Sequence, residues 1–276
     1  KDYLQYSIDW ADYNQWKGAT SNNKAEWRST YGESPEYVLF GDWQVCFQTY
    51  ADLYKLDPDT INIARAREVM EYQMSTSKLD YWHWVDALYM VMPVMVKMYD
   101  ITKNPLYLEK LHQYLTVTDS IMYDREVGLY YRDAKYPYPF HKTINGKKDF
   151  WSRGDGWAFA AFAKVLKQLP AEDKYREEYI TRFQTMAKSI AACQQPEGYW
   201  TRSLIDPEQA PGPETSGTAL FTYGFLWGIN NGLLNADIYS PIVEKAWNYL
   251  KTTALQADGK IGYIQPVGEK AIPGQV

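Results

Sequence analysis

Two kinds of helical segment alternate along this chain, and the alternation limits what it can fold into. Segments beginning near residues 41, 84, 153 and 215 are apolar or glycine-rich, as expected of helices buried on most sides. Segments beginning near 60, 105, 174 and 239 alternate apolar residues with Lys, Arg, Glu and Gln, which is typical of surface helices. Repeated pairs of an inner and an outer helix predict an all-α fold, an (α/α)6 toroid whose loops before the inner helices gather at one end.

No segment shows the convincing apolar–polar alternation of a strand, and turn residues mark several helix ends. Asp59-Thr60 can cap one helix, Thr215 or Ser216 can cap another, and Pro241 suits a first turn. The predicted helices are 2–16, 41–55, 60–75, 84–102, 105–123, 153–169, 174–195, 215–233 and 239–255.

The length of 276 residues predicts a single domain over 1–276. The first helix has no inner partner, and no helix follows the turn-rich residues 258–265. We therefore expect the toroid to lack terminal helices, with an open seam where Lys1 and Val276 lie near each other. Residues 128–150 contain several Tyr, Pro and cationic residues, which predicts a non-helical flap over the site or, equally, an ordinary hairpin insertion.

Composition excludes several classes of function. A net charge of -5 and a pI of about 5.4 argue against nucleic-acid binding, and no apolar run approaches the roughly 20 residues of a membrane span. Three histidines without metal-ligand spacing predict neither a metal nor another cofactor, and Cys46 and Cys193 are expected as buried free thiols. The high aromatic content, 16%, suits an oligosaccharide partner. A monomer or weak homo-oligomer is expected.

The segment Trp151-Ser152-Arg153-Gly154-Asp155-Gly156-Trp157 lies where an inner helix begins. Two indoles offer faces for sugar rings, Arg153 offers a donor fork for a carboxylate, and the two glycines allow close backbone approach or a positive φ. The alternative is a helix start whose tryptophans belong to the core.

Two further motifs precede inner helices: Trp84-Val85-Asp86-Ala87-Leu88 and Pro213-Glu214-Thr215-Ser216-Gly217. Together with residues 151–157, in this order and spacing, they resemble the unsaturated uronyl hydrolases of glycoside hydrolase families 88 and 105, with the closer resemblance to family 105. The resemblance extends from about Trp10 to about Gly268. It implies a bacterial glycosidase, in the periplasm or the cytoplasm, that acts on the unsaturated oligosaccharides produced by polysaccharide lyases.

Asp86 lies in an otherwise apolar run, where an isolated carboxylate would be costly. It is either a first-turn aspartate stabilised by the helix dipole or a general acid/base kept protonated by an apolar wall and a second carboxylate. The resemblance implies that Asp86 is the catalytic acid/base. It likewise implies that Asp42, at the start of the neighbouring inner helix, is an auxiliary catalytic aspartate; a simple N-cap is the alternative.

The implied reaction hydrates the C4=C5 double bond of the terminal uronic acid. The candidates for substrate binding are Trp43, Trp84, Arg132, His141, Trp151, Arg153, Trp157, Glu214 and Thr215. Two positions depart from the family pattern: Arg132 stands where well-known members have histidine, and Asp155 where asparagine is frequent. These departures leave the sugar preference open.

Two other functions compete with this one. Another sugar-active α/α-toroid enzyme, a lyase or an epimerase, would usually deploy several histidines or a Tyr–His pair, and among the three motifs only His83 lies adjacent to one. A catalytically silent carbohydrate-binding toroid would keep the aromatic residues but would have no need of Asp86.

Overall fold

The computed structural model describes residues 2–268 and 270–275. Its helices are α1 (Asp2–Tyr13), α2 (Gly41–Gln44), α3 (Cys46–Leu56), α4 (Thr60–Ser75), α5 (Asp86–Thr102), α6 (Leu106–Met122), α7 (Ser152–Gln168), α8 (Arg176–Ala191), α9 (Thr215–Asn230) and α10 (Ala236–Tyr249). Short strands β1 (Tyr123–Asp124) and β2 (Leu129–Tyr130) pair antiparallel, and a π-helical turn, Leu250–Ala254, extends α10. The all-α prediction is confirmed.

Most predicted helices begin within three residues of where the structure places them, but two details were wrong. The helix predicted over 41–55 is divided at Val45, between α2 and α3. Pro241 lies inside α10 and not in its first turn, because the helix begins earlier, where the Asn235 side chain accepts from the Asp237 amide. The predicted cap at Asp59 is confirmed, since its side chain accepts from the Ile61 amide at 3.0 Å.

The predicted caps of α9 and α2 were also wrong. Glu214 caps α9, accepting from the amides of Ser216 and Gly217, while the Thr215 hydroxyl contacts Tyr249 and the Gly262 carbonyl. Asp42 is not an N-cap, because α2 begins after Phe40, without a side-chain cap, and Asp42 lies in its first turn. The capping alternative for Asp42 is therefore excluded.

The chain forms two compact units. The first contains the residues up to His83 and Ala87–Thr118, and the second contains Trp84–Asp86 and the residues from Asp119 onward. In the first unit α3 packs against α4, and α5 is buried continuously from Val91 to Met98. Such burial agrees with its prediction as an inner helix.

In the second unit α7 packs against α8 and α9, and α9 packs against α10. The Phe159 ring of α7 stacks on Phe183 of α8, with 4.5 Å between ring centroids. A Cβ added to Gly217 would lie 2.8 Å from the Ser152 carbonyl carbon, and one added to Gly156 would lie 2.9 Å from the Leu220 Cβ. The starts of α7 and α9 therefore approach closely only because these residues are glycines.

Residues 128–150 contain no helix, and they are attached to the loop that follows α8. The Asn145 side chain donates to Asp206 at 3.0 Å, and the Ile144 amide donates to Gln209 at 2.8 Å. The predicted seam concerns Lys1 and Val276, both of which lie outside the described residues.

Within 2–268 and 270–275, the helices are too short or too polar to cross a lipid bilayer.

Candidate active site

The starts of α5, α7 and α9 come together in the second unit. A Cβ added to Gly154 would lie 2.9 Å from Val85, the residue before α5. The Ser152 hydroxyl donates to Glu214 at 3.3 Å, and Nη1 of Arg153 lies 3.4 Å from the Ser216 hydroxyl. Three of the four helix starts predicted to carry the site are thus neighbours. The fourth, at Asp42, belongs to the first unit, and its position opposite Asp86 remains a prediction.

Asp86 is the first residue of α5 and is half-buried. The Val85 side chain before it is fully buried, and its amide donates to the Arg132 carbonyl at 3.0 Å. Trp84 forms an antiparallel bridge with Asp133. Backbone pairing with residues 132–133 therefore fixes the chain just before the proposed acid/base.

Arg132 is held by Asp133, a residue that was missing from the sequence-based set. Its guanidinium forms an ion pair with the buried Asp133 carboxylate and lies over the rings of Trp84 and Tyr136, at 5.9 and 5.5 Å from their centroids. The same carboxylate accepts from the Trp84 indole at 3.0 Å. The signal available in the sequence was the adjacency of Asp133 to Arg132.

Arg153 lies close to two carboxylates. Burial lowers the pKa of Arg153, while Glu214 and Asp86 oppose that shift. Its Nη1 donates to the Gln265 carbonyl at 2.7 Å, and its Nη2 lies 3.3 Å from the Pro266 carbonyl. Part of the predicted donor fork is therefore engaged by the backbone of residues 265–266.

Glu214 and Thr215 are buried and hydrogen-bonded within the protein. The Glu214 carboxylate is 0% exposed and accepts from Ser152, Ser216, Gly217 and the Gln265 amide. The Thr215 hydroxyl lies 2.7 Å from the Tyr249 hydroxyl. Both residues hold the start of α9 in place, and direct contact of either with a substrate remains a prediction.

His141 lies in the non-helical segment and is oriented by a buried carboxylate. Its Nε2 is 2.9 Å from Asp149, which also forms an ion pair with the buried Arg202. The imidazole packs against the Tyr136 ring at a centroid distance of 4.3 Å. The Arg132 guanidinium lies over the same Tyr136 ring, so His141 and Arg132 both pack against one aromatic side chain.

The predicted aromatic residues are placed differently from one another. Trp151 is 7% exposed and donates to the Gln265 side chain at 2.7 Å, whereas Trp157 is half-buried in α7. Trp43 belongs to α2 of the first unit, and its indole donates to the Gly32 carbonyl at 2.9 Å. Gly154 and Gly156 have helical backbone angles, so their role is close packing and not a positive φ.

Two further carboxyls have shifted pKa values. Desolvation raises the pKa of Asp42, although its side chain reaches solvent. Burial raises the pKa of Asp155 well above its ordinary value.

Among residues 2–268 and 270–275, no three His, Cys, Asp or Glu side chains are grouped so that they could hold a metal ion.

The sequence model of Glycosyl Hydrolase Family 88 matches residues 1–275. The chain belongs to this family. An Unsaturated 3S-rhamnoglycuronyl hydrolase of Alteromonas sp. (strain LOR) is 36% identical over 192 residues, which are 70% of this chain and 46% of that relative. A second hydrolase of the same name, from Formosa agariphila, is matched over 54% of its length. This family 88 chain thus spans about half the length of the curated relatives it matches.

Solved structures agree with the family assignment. One of them, named a polysaccharide lyase, is 72% identical, with a TM-score of 0.97 over 100% of this chain and 78% of its own. A possible GH105 member from Salmonella enterica is 21% identical, with a TM-score of 0.70 over 83% of this chain and 63% of its own. At that identity the likeness shows the fold alone, and it supports the α/α-toroid class for this family 88 chain.

Proposed function

We propose that this protein hydrolyses lyase-generated oligosaccharides that carry a C4=C5 unsaturated uronic acid at the non-reducing end. The observation that carries the proposal is the half-buried Asp86 at the start of α5, beside Arg153 and the aromatic residues before α7. Membership of family 88 supports it, as do two relatives named unsaturated 3S-rhamnoglycuronyl hydrolases. The preferred sugar belongs to the rhamnogalacturonan type or to related uronic-acid polysaccharides.

In the proposed mechanism the double bond is a vinyl ether of the ring oxygen. The Asp86 carboxylic acid gives its proton to C4, which leaves oxocarbenium character at C5. The resulting Asp86 carboxylate takes a proton from a water molecule while the water oxygen bonds to C5. The hemiketal at C5 then opens to a ketone, and the hemiacetal freed at C1 releases the leaving sugar as an alcohol. Since one residue serves as acid and then as base, the carboxylate-separation rule for ordinary glycosidases does not apply.

The neighbouring residues divide the remaining roles. Arg153 faces the substrate carboxylate with the donor capacity that Gln265 and Pro266 leave, and Trp151 and Trp157 shape the site for the unsaturated ring. Arg132, with His141 behind it, is the second candidate for binding the substrate carboxylate, a sulfate or the linked sugar, and Trp84 belongs to the aromatic wall. Asp133 and Asp149 hold the Arg132 and His141 side chains. Asp42 is the auxiliary carboxylate, and Trp43 extends the aromatic wall.

A lyase is the second candidate, because the 72% identical structure carries that name. The ultraviolet absorbance of the enoate changes in opposite directions in the two reactions. A hydrolase bleaches the band in a panel of unsaturated disaccharides, whereas a lyase creates the band from saturated uronic-acid polysaccharides. Bleaching with at least one disaccharide is the expected result. A rise with polysaccharide alone would favour the lyase, and binding without either change would favour the silent carbohydrate-binding toroid.

A further inference from the structure

Gln265 connects the starts of α7 and α9 through three of its polar groups. Its side-chain oxygen accepts from the Trp151 indole at 2.7 Å, and its carbonyl accepts from Nη1 of Arg153 at 2.7 Å. Its amide donates to Glu214 at 3.2 Å, and its side-chain nitrogen donates to the Lys270 carbonyl at 3.0 Å. The residue is only 2% exposed.

These contacts hold the Arg153 guanidinium against the Trp151 ring. The Arg153 guanidinium lies 4.8 Å from the centroid of the Trp151 ring, and its Nη2 lies 3.3 Å from the Pro266 carbonyl. Because the indole nitrogen and the guanidinium both donate to residue 265, neither side chain can rotate without breaking a hydrogen bond. A buried donor left without an acceptor is costly, so the arrangement resists rotation.

The segment that carries Gln265 is itself fastened beside α9. Ile264 pairs with Gln275 in an antiparallel bridge, and the Gly274 amide donates to the Pro213 carbonyl at 3.0 Å. The Tyr263 carbonyl accepts from the Thr215 amide at 2.9 Å. These backbone hydrogen bonds fix the position of Gln265, so that Gln265 can in turn fix the side chains bonded to it.

We infer that the Gln265 side chain is a positioning group that sets the Trp151 ring for the unsaturated uronate, and with it the Arg153 guanidinium that lies over this ring. The nature of the ligand rests on the proposed function, whereas the contacts within the protein do not. Gln265 touches no reacting atom in this role. Its removal should change how well the uronate is bound before it changes the chemical step.

The kinetic test compares two glutamines of the same region. Gln265→Met keeps the length of the side chain but removes both of its hydrogen bonds. Gln256→Met is the matched control, since the Gln256 side chain donates to the Thr253 and Ala254 carbonyls and not to Trp151. We expect the KM for an unsaturated disaccharide to rise about five- to tenfold in Gln265→Met, with kcat within about twofold, and neither constant to change in Gln256→Met. An unchanged KM in Gln265→Met overturns the inference.

A double-mutant cycle asks whether Gln265 acts through Trp151. Trp151→Phe keeps an aromatic ring but removes the indole donor. We expect Gln265→Met to raise KM less in the Trp151→Phe background than in the wild type, because the shared hydrogen bond is already gone. Fully additive effects would mean that Gln265 does not position Trp151.

An indole readout keeps the inference testable without turnover. The Trp151 Nε1–H resonance in a 15N spectrum is assigned by its loss in Trp151→Phe. It should shift in Gln265→Met and stay at its wild-type position in the control Gln256→Met. A resonance unmoved by Gln265→Met overturns the contact. Failure of the wild type to bleach any unsaturated disaccharide would instead refute the proposed function, and the indole resonance would still decide on Gln265.

Discussion

The carboxyl of Asp155 accepts a hydrogen bond from the Tyr130 amide, with 2.8 Å between Oδ1 and the nitrogen. Its other oxygen, Oδ2, is buried and has no hydrogen-bond partner among the described residues. The Tyr130 hydroxyl is held in turn by Asp119 and Arg182, each at 2.6 Å. The strand that leads to Arg132 is thus anchored through both the backbone and the side chain of Tyr130, and one anchor is an acid whose pKa burial raises strongly.

Replacing Asp155 with asparagine should change how stability depends on pH. Because the pKa of Asp155 is raised in the folded state, the folded chain binds a proton that the unfolded chain loses near pH 4, and the free energy of unfolding falls as pH rises toward the folded pKa. An amide cannot ionise. The Tm of Asp155→Asn minus that of the wild type should therefore grow with pH, by roughly 2–4 °C for each 1 kcal/mol.

Thermal unfolding followed from about pH 4 to about pH 9 measures this difference. Asp155→Leu is the contrast, because it removes the acceptor of the Tyr130 amide. It should be about 1–3 kcal/mol less stable than Asp155→Asn at every pH, since neither side chain ionises. A Tm difference between Asp155→Asn and wild type that stays constant with pH would contradict a raised pKa of Asp155 in the folded state.

Asp86→Asn should abolish catalysis while leaving the fold intact. An amide can neither protonate C4 nor accept a proton from water, so kcat should fall by about 10²–10⁴-fold or more, because one group serves both steps. Asp237→Asn is the matched control, since Asp237 is an exposed first-turn aspartate of α10. Enoate bleaching and Tm are measured together. Near wild-type turnover by Asp86→Asn would refute the mechanism.

Asp42→Asn should lower the rate mainly on the alkaline side of the pH profile. Desolvation already raises the pKa of Asp42, so its carboxyl stays protonated to a higher pH than an ordinary aspartate and ionises above it. In the proposed pair the ionised Asp42 raises the pKa of Asp86, so an amide at position 42 should lower that pKa. The alkaline pH of half-maximal kcat/KM should therefore move to lower pH, because Asp86 must be protonated to act as the acid. A pH–rate profile with unchanged shape would show that Asp42 acts outside the catalytic pair.

Arg153→Lys should weaken binding of the uronate more than it slows the chemistry. Lysine cannot donate to Gln265 and Pro266 while also presenting a planar fork to a carboxylate. We expect KM to rise about tenfold, with kcat reduced much less. Arg67→Lys on the exposed face of α4 is the control, and it should leave both constants unchanged. A large fall in kcat at constant KM would place Arg153 in the chemical step.

Gly217→Ala should destabilise the second unit. The added Cβ would lie 2.8 Å from the Ser152 carbonyl carbon and 3.0 Å from the Arg153 nitrogen, so backbone has to move, at a cost of about 1–3 kcal/mol. Gly41→Ala is the comparison, because its Cβ would meet nothing closer than 3.4 Å and alanine favours a helix. Denaturant unfolding distinguishes the two. Equal stability of both variants would show that α7 and α9 can separate without cost.

Local patterns predicted the helices well because capping and amphipathicity act over a few residues. Asp59 and the starts of α5, α7 and α9 belong to this class. Glu214 was missed as a cap, since glutamate is not a preferred N-cap. In addition to the amides of its own helix, its carboxylate accepts from Ser152 and Gln265, which are distant in the sequence.

The residues that order the site were largely invisible in the sequence. Gln265 lies more than 100 positions from Trp151 and Arg153, and no local pattern connects them. The roles of Asp133 and Asp149 also depend on residues that are distant in the sequence. Asp133 accepts a hydrogen bond from Trp84, and Asp149 forms an ion pair with Arg202. The motifs therefore predicted that the starts of α5, α7 and α9 lie together, whereas the contacts that hold their side chains in place depend on tertiary structure.

Four arginines of the second unit each lie beside an acid. The pairs are Arg132 with Asp133, Arg153 with Glu214, Arg182 with Asp119, and Arg202 with Asp149. Their opposite charges cancel at close range, so they add little to a long-range field that could attract an anionic sugar. Selection of a uronate here would depend on the direction of donors at contact distance, and its rate of capture would respond only weakly to ionic strength.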